Sequence, residues 1–287
     1  NNPLIEMNQK MRVLFFFLSV LSFLACGKDK DYVVTISTRH GEIKAILFDD
    51  APEHKSNFLS LAEEGRFDST QFHRVIQGFM VQGGDVFKKE GLPYQNWPTL
   101  PAEIRRNHVH TKGMLAAARE GDDSNPQKRS NGSQFYIVQG RTYAEQELTT
   151  DFTALQKAVF QYMQLESQQQ MKDEYTRLYQ EGKMDSLTQL LLFKRDDIAK
   201  TLSLKLTKDY SPEQIKAYAE LGGTPHLDFE YTVFGQVIQG LEVVEKIAAE
   251  KTAREVPLDP VLMKVTVEKM SRKKIEKEFG YVYPPSQ

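Results

Sequence analysis

Apolar positions along this chain fall into three regimes: one nearly continuous early run, stretches that alternate like strands, and a middle block with helical spacing. Residues 31–48, "DYVVTISTRHGEIKAILF", form two Val-, Ile- and Thr-rich runs around Arg39, His40 and Gly41. That pattern predicts a hairpin. The next segment places Phe58, Leu59, Leu61 and Ala62 between Pro52 and Gly65. It predicts a short amphipathic helix with a proline start and a glycine stop. Strand-like patterning resumes over 71–84 and 132–140, separated by the polar "REGDDSNPQKRSNG", which reads as a loop.

The pattern changes between about residues 144 and 221, which are rich in Gln, Glu, Lys, Leu and Met and nearly free of Gly and Pro. Phe152, Leu155, Val159, Tyr162 and Met163 recur at helical spacing. A second helical run covers 184–206, and a third starts at Ser211, Pro212 and Gln214, which form a capping signal. The block therefore predicts three helices, the first two reading as an antiparallel pair. Strand character returns at "YTVFGQVIQG", a short helix follows at "LEVVEKIAAE", and "VLMKVTVEKM" reads as a closing strand. The expected organisation is a mainly β domain over 31–141 and 223–269. An α-helical insertion at 142–222 interrupts it, and a C-terminal tail at 270–287 follows.

The composition narrows the choice of function. A net charge of −2 with 26% charged residues argues against a nucleic-acid partner. Cys26 is the only cysteine, so an intrachain disulfide and a thiolate metal cluster are both excluded. The 6 histidines show no repeated carboxylate–histidine spacing, so no metal or other cofactor is expected.

Lys10 and Arg12 precede an apolar run at 13–25, which is too short to span a bilayer but suited to a secretory signal. A buried helix or strand is the alternative reading of that run. "FLAC" followed by "GKDKD" resembles the cleavage box of a bacterial lipoprotein. This implies a signal peptide at 1–25, lipidation of Cys26, and a short anchor linker at 26–30. The corresponding location is the bacterial cell envelope, at an outer membrane and facing the periplasm, with acyl chains holding the protein to the membrane.

Three long motifs carry a second resemblance. "FHRVIQGFMVQGGD" (72–85), "KGMLAAAREGDDSNPQKRSNGSQFYIVQG" (112–140) and "LDFEYTVFGQVIQGLEVVEKI" (227–247) are similar, in order, to the cyclophilin-type peptidyl-prolyl isomerases. The resemblance covers about 31–141 and 223–269. It implies a closed eight-stranded barrel with capping helices and a substrate groove on its outer face. By the same resemblance Arg74 is the catalytic arginine, and His73, Phe79, Met80 and Gln82 are substrate-binding residues. Ala118, Arg119, Gln134, Tyr136, His226, Leu227 and Tyr231 complete the implied binding set. Phe is usual where Tyr136 stands, Trp is frequent where His226 stands, and His is frequent where Tyr231 stands.

Residue chemistry supports that implication. Local sequence alone favours Arg74 as an edge arginine whose stem packs while its head stays wet, and Phe79 and Met80 as core residues; the matched motifs reverse both readings. An always-charged, donor-only guanidinium nevertheless suits a reaction in which a proline nitrogen gains a localised lone pair. His73 is not needed as a base, because bond rotation moves no proton. The expected partners are unfolded or proline-containing polypeptides. The insertion is a solvated excursion, a surface for a partner or client, an extension of a chaperone surface, or a cover over the active site that limits which prolines enter. A rival reading is a proline-peptide binding or chaperone module with weak turnover. "SNPQKRSNG" at 124–132 reads as a solvated loop whose position beside the groove allows substrate contact.

Overall fold

The computed structural model describes residues 29–284. The early apolar run and Cys26 lie outside the described residues. Two compact units divide the chain, one made of residues up to Gln139 and from Leu227, the other Gly140–His226.

In the first unit, alternation of β-branched and aromatic residues produces short antiparallel strands. These are β1 (Lys30–Thr38), β2 (Gly41–Leu47), β3 (Phe72–Ile76), β4 (Met80–Gly83), β5 (Thr99–Leu100), β6 (Met114–Ala117), β7 (Ser130–Asn131), β8 (Phe135–Val138), β9 (Val233–Gln239), β10 (Thr252–Ala253), β11 (Val256–Pro257) and β12 (Lys264–Ser271). Eight of them form one sheet in the order β12-β1-β2-β9-β6-β8-β4-β3.

The expected closed barrel does not form. The sheet is an open, strongly curled half-barrel with edges 11 Å apart. The segment leading into β12 occupies the seam in place of a ladder. Phe72 N–H donates to Val261 C=O at 2.9 Å and Val75 N–H to Glu255 C=O at 2.7 Å, while Met263 N–H donates to Thr70 C=O at 2.8 Å. Pro257 and Pro260 lie within that segment. Each lacks an amide donor, so a regular edge-to-edge ladder cannot run through it. The description as mainly β is corrected as well, because helix at 38% exceeds strand at 25%.

Period-two alternation gives the sheet two apolar faces. Ile36, Ile43, Leu47, Leu115, Phe135 and Ile137 point into the inner core. There Phe58, Phe67 and Phe72 surround Phe135 with ring centroids 5.3, 5.9 and 6.3 Å away. Helix α1 (Pro52–Glu63) contributes Phe58, Leu61 and Ala62 to this core. The outer face carries Met80, Ala116, Tyr136, Val138 and Val233, with Phe79, Leu227 and Tyr231 packed on them. All four residues of β8 are buried because both of its faces are covered.

A one-turn helix α2 (Val86–Lys89) follows β4. The second unit holds α3 (Glu145–Leu148), α4 (Phe152–Tyr162), α5 (Gln169–Gln180), α6 (Met184–Leu202) and α7 (Pro212–Glu220). The run read as a single first helix divides into α4 and α5, because Leu165 is extended, with φ −73° and ψ 131°. Leu155, Val159, Tyr162, Met171, Ile198 and Leu206 close this unit's own core. Ser211 and Gln214 cap α7 reciprocally, at 3.2 and 3.0 Å.

At the root of this unit, Arg141 and Gly223 exchange backbone hydrogen bonds of 3.2 and 2.9 Å. A Cβ on Gly140 would lie 2.3 Å from Gly223, so the two chain segments meet backbone to backbone. Back in the first unit, α8 (Leu241–Ala248) seats Val243, Val244 and Ile247 in the inner core. Helix α9 (Arg272–Phe279) buries Ile275 against Val33, Ile46 and Met270.

Candidate functional site

A cleft of about 920 Å³ opens on the outer face of the sheet, and every residue lining it belongs to the first unit. Its shape begins with a register shift. Phe72 pairs with Gly83 and Arg74 with Gln82, so His73 is the extra residue of a bulge in β3. Phe72 and Val75 therefore face the inner core, whereas His73 and Arg74, although consecutive, both reach the cleft. The charge that interrupts an apolar stretch of sequence sits on the outer side, with its side chain 42% exposed.

Phe79, Met80, Tyr136 and Leu227 supply the apolar floor. Tyr136 is held from behind. Its hydroxyl lies 3.0 Å from Nε2 of the fully buried His110, whose Nδ1 lies 3.0 Å from Asp228 Oδ1. Asp228 Oδ1 also accepts the His110 backbone N–H at 2.7 Å. An acceptor at both His110 donors places the ring hydrogen on Nδ1, so the Tyr136 hydroxyl donates to Nε2. Burial raises Tyr136 well above the ordinary phenol range, keeping it a neutral donor. Tyr231 stands edge-on to both rings, 6.0 Å from Tyr136 and 6.3 Å from His110.

A polar chain forms the wall beside Arg74. Gln82 Nε2 donates to Gln134 Oε1 at 3.0 Å, and Gln134 Nε2 donates to Asp85 Oδ1 at 3.1 Å. The carboxylate has no hydrogen to give, so it fixes which way both amides point. Gly84 makes this reach possible. Its φ is +79°, and a Cβ there would meet Ser133 O at 2.7 Å and the Phe135 ring at 2.8 Å. Asn131 Oδ1 accepts the backbone N–H groups of Ser133 and Gln134, both at 2.9 Å, and so sets the start of β8. Burial pushes the His73 imidazole below its ordinary value, with the Asp85 carboxylate pulling the other way.

Eleven of the twelve residues implied by the sequence motifs line the cleft: His73, Arg74, Phe79, Met80, Gln82, Ala118, Arg119, Gln134, Tyr136, Leu227 and Tyr231. His226 does not; it is the last residue of the second unit. Arg119 reaches the cleft with most of its donors committed. Nε donates to Glu230 C=O at 2.8 Å, Nη1 to Glu120 C=O at 2.9 Å and to Asp122 Oδ1 at 2.6 Å, and Nη2 to Glu230 Oε2 at 3.3 Å. Its guanidinium lies 4.6 Å from the centre of the Tyr231 ring. The geometry makes it a brace for that ring and for the 119–122 turn.

The motifs did not single out Asp85, His110, Asp228, Tyr94, Trp97 or Asn131. Asp85 had a local signal, as the charged residue ending Gln-Gly-Gly-Asp. Trp97, the only tryptophan, stands one residue before Pro98. His110 carried none, since its partners are 26 and 118 residues away. Asn125 and Arg129 of the polar loop line the cleft too.

The outer face of the curled antiparallel sheet thus carries a groove with an apolar floor and the half-exposed Arg74 at its rim. The family model for cyclophilin-type peptidyl-prolyl cis-trans isomerases matches residues 33–186 and 201–268, and the chain belongs to that family. It carries a cyclophilin-type peptidyl-prolyl isomerase domain.

Among relatives, a Streptococcus pyogenes protein described as a bifunctional phosphatase/peptidyl-prolyl cis-trans isomerase is 30% identical over 238 residues. That match covers 80% of this chain but only 37% of the streptococcal one. A Staphylococcus saprophyticus protein described as a peptidyl-prolyl cis-trans isomerase is 28% identical over 231 residues, covering 78% of this chain and 82% of its own. A cyclophilin-type isomerase structure from Cryptosporidium parvum aligns with a TM-score of 0.48 and 19% identity, over 83% of this chain and 98% of that one.

Proposed function

We propose that the cleft accelerates cis–trans isomerisation of Xaa-Pro bonds by non-covalent stabilisation of the twisted transition state, with Arg74 as the catalytic residue. The observation that carries this reading is the placement of Arg74 directly opposite Gln82 on the β3–β4 ladder, at the rim of the Phe79, Met80, Tyr136 and Leu227 floor. The planar amide resists rotation with a barrier of about 20 kcal/mol. As it twists, conjugation is lost and the proline nitrogen becomes a hydrogen-bond acceptor. A guanidinium aimed at that nitrogen binds the twisted state more tightly than either planar isomer, which is what lowers a barrier. One charge-assisted hydrogen bond of about 2–3 kcal/mol corresponds to about 30- to 150-fold in rate.

The remaining roles follow from the same placement. The apolar floor seats the pyrrolidine ring and excludes water, which strengthens the arginine's interaction. Gln82 and Gln134, oriented by Asp85, hold the substrate backbone. Ala118 donates its N–H to Gln134 C=O at 3.0 Å, so what it presents at the groove edge is its carbonyl, which accepts Asn131 N–H at 2.8 Å and keeps a second lone pair. His73, held neutral by burial, shapes the wall. Tyr231, backed by Arg119, closes the far side.

The clients are unfolded or proline-containing exported polypeptides, and the enzyme is lipid-anchored through Cys26 in the cell envelope. This part rests on the basic-then-apolar run and the "FLAC" box. Mass spectrometry of the mature N-terminus tests it, and an unmodified Cys26 would refute it. Among the described residues no helix is long and apolar enough to cross a membrane.

A second reading assigns client holding to the helical unit, and exposed Phe160, Tyr179 and Phe193 favour it. NMR exchange on an Xaa-Pro peptide separates the two. Acceleration that is abolished by Arg74→Ala supports the enzyme, and no acceleration by the intact protein removes it.

A further inference from the structure

We propose that Glu255 is a positioning residue for Arg74, presented by a turn whose backbone is strained in order to present it. The inference rests on the reading of Arg74 as the donor to the proline nitrogen. Strands β10 and β11 pair Thr252 with Pro257 and Ala253 with Val256, leaving Arg254 and Glu255 as a two-residue loop. Both adopt left-handed backbone, with φ of 50° and 69°. A tight hairpin of this kind needs positive φ at both central positions, and asparagine followed by glycine meets that need at low cost. Arginine and glutamate carry a Cβ that resists it.

Both halves of Glu255 are committed to β3. Its backbone carbonyl accepts Val75 N–H at 2.7 Å, and its carboxylate Oε2 accepts Arg74 Nε–H at 2.6 Å. The side chains of the pair are 42% and 48% exposed. An ion pair that open to solvent contributes little to stability, less than left-handed backbone at a non-glycine residue costs. If the turn alone mattered, glycine at 255 would serve without that strain. The carboxylate is thus kept for what it does to the arginine.

What it does follows from which nitrogen it holds. Among the described residues the Arg74 guanidinium makes no other hydrogen bond. Both Nη groups, the forked end, therefore remain for a ligand. A long, half-exposed side chain would otherwise be distributed among many rotamers. Tethering it through Nε fixes the plane and direction of the fork before substrate arrives, which is pre-organisation of the donor.

The test uses the full chain, an Xaa-Pro peptide followed by NMR exchange, and thermal unfolding of each variant. Glu255→Gly removes the carboxylate and relieves the positive φ together. Its Tm should rise while kcat falls about three- to tenfold and KM stays within about twofold. Glu255→Gln keeps an acceptor oxygen and should recover part of kcat. An unchanged or raised kcat in Glu255→Gly overturns the proposal, as does a kcat that merely follows Tm through the set. If the wild type itself gives no acceleration, or Arg74→Ala matches it, the reading of the groove fails instead.

Discussion

Tyr136 and His110 meet at 3.0 Å beneath the groove, hydroxyl to Nε2, with Asp228 fixing the far side of the imidazole. The pair turns a ring of the substrate floor into part of a buried polar network. Tyr136→Phe keeps the ring but leaves His110 Nε2 buried with no donor. The expected loss is about 1–2 kcal/mol of stability, read as a lower urea midpoint, with peptide KM within about twofold of wild type. An unchanged midpoint would mean the hydroxyl contributes nothing.

Asp85 is expected to act through the two glutamines. Asp85→Ala frees the Gln134 amide to turn over, and the orientation of Gln82 goes with it. We expect kcat/KM to fall about fivefold, the equivalent of about 1 kcal/mol. Asp85→Asn still offers a carbonyl oxygen to Gln134 and should stay close to wild type. Equal activity in Asp85→Ala would show that the amides hold their direction unaided.

Acid sensitivity should come in part from His54, beside a contribution of the same sign from the buried His73. Burial holds its imidazole below the ordinary value, outweighing the upward pull of Glu103, whose Oε2 lies 2.6 Å from Nδ1. Nε2, where a second proton would go, is buried with no partner. The unfolded chain takes up this proton near pH 6.5, before the folded chain does. Stability is therefore full above that pH and declines as pH falls below it. Urea midpoints measured between pH 7.5 and 5.5 should drop for wild type. They should drop less for His54→Asn, which keeps a donor towards Glu103 but does not titrate. Parallel pH profiles for the two proteins would rule His54 out as a source.

Gly140→Ala should open the root of the helical unit. The residue has φ +63°, and the new Cβ would sit 2.3 Å from Gly223 backbone atoms that have no side chain to move aside. A cost of about 2–4 kcal/mol and a Tm lower by roughly 5–10 °C are expected. A Tm within a degree of wild type would show that the root has slack.

Much of this architecture was legible in the residues. The hairpin around Arg39 and His40, the Pro52 helix and the Ser211 cap depend on neighbours a few positions apart, and local chemistry specifies them. Eleven of the cleft residues were legible because three long motifs carry them. The division between α4 and α5 was not, because no glycine or proline marks Leu165.

What the sequence by itself determined was therefore local: which segments are strands or helices, which faces are apolar, and which motifs place Arg74 among aromatic residues. Only the tertiary structure decided how those faces are used. The His73 bulge turns Arg74 outward, proline-bearing residues 255–263 fill the seam and leave the sheet open, and Asp228 reaches His110 across 118 residues. The Glu255 carboxylate finds Arg74 across 181 residues. Such pairings arise from ladder register and chain return, and neither leaves a periodic trace in the order of the residues.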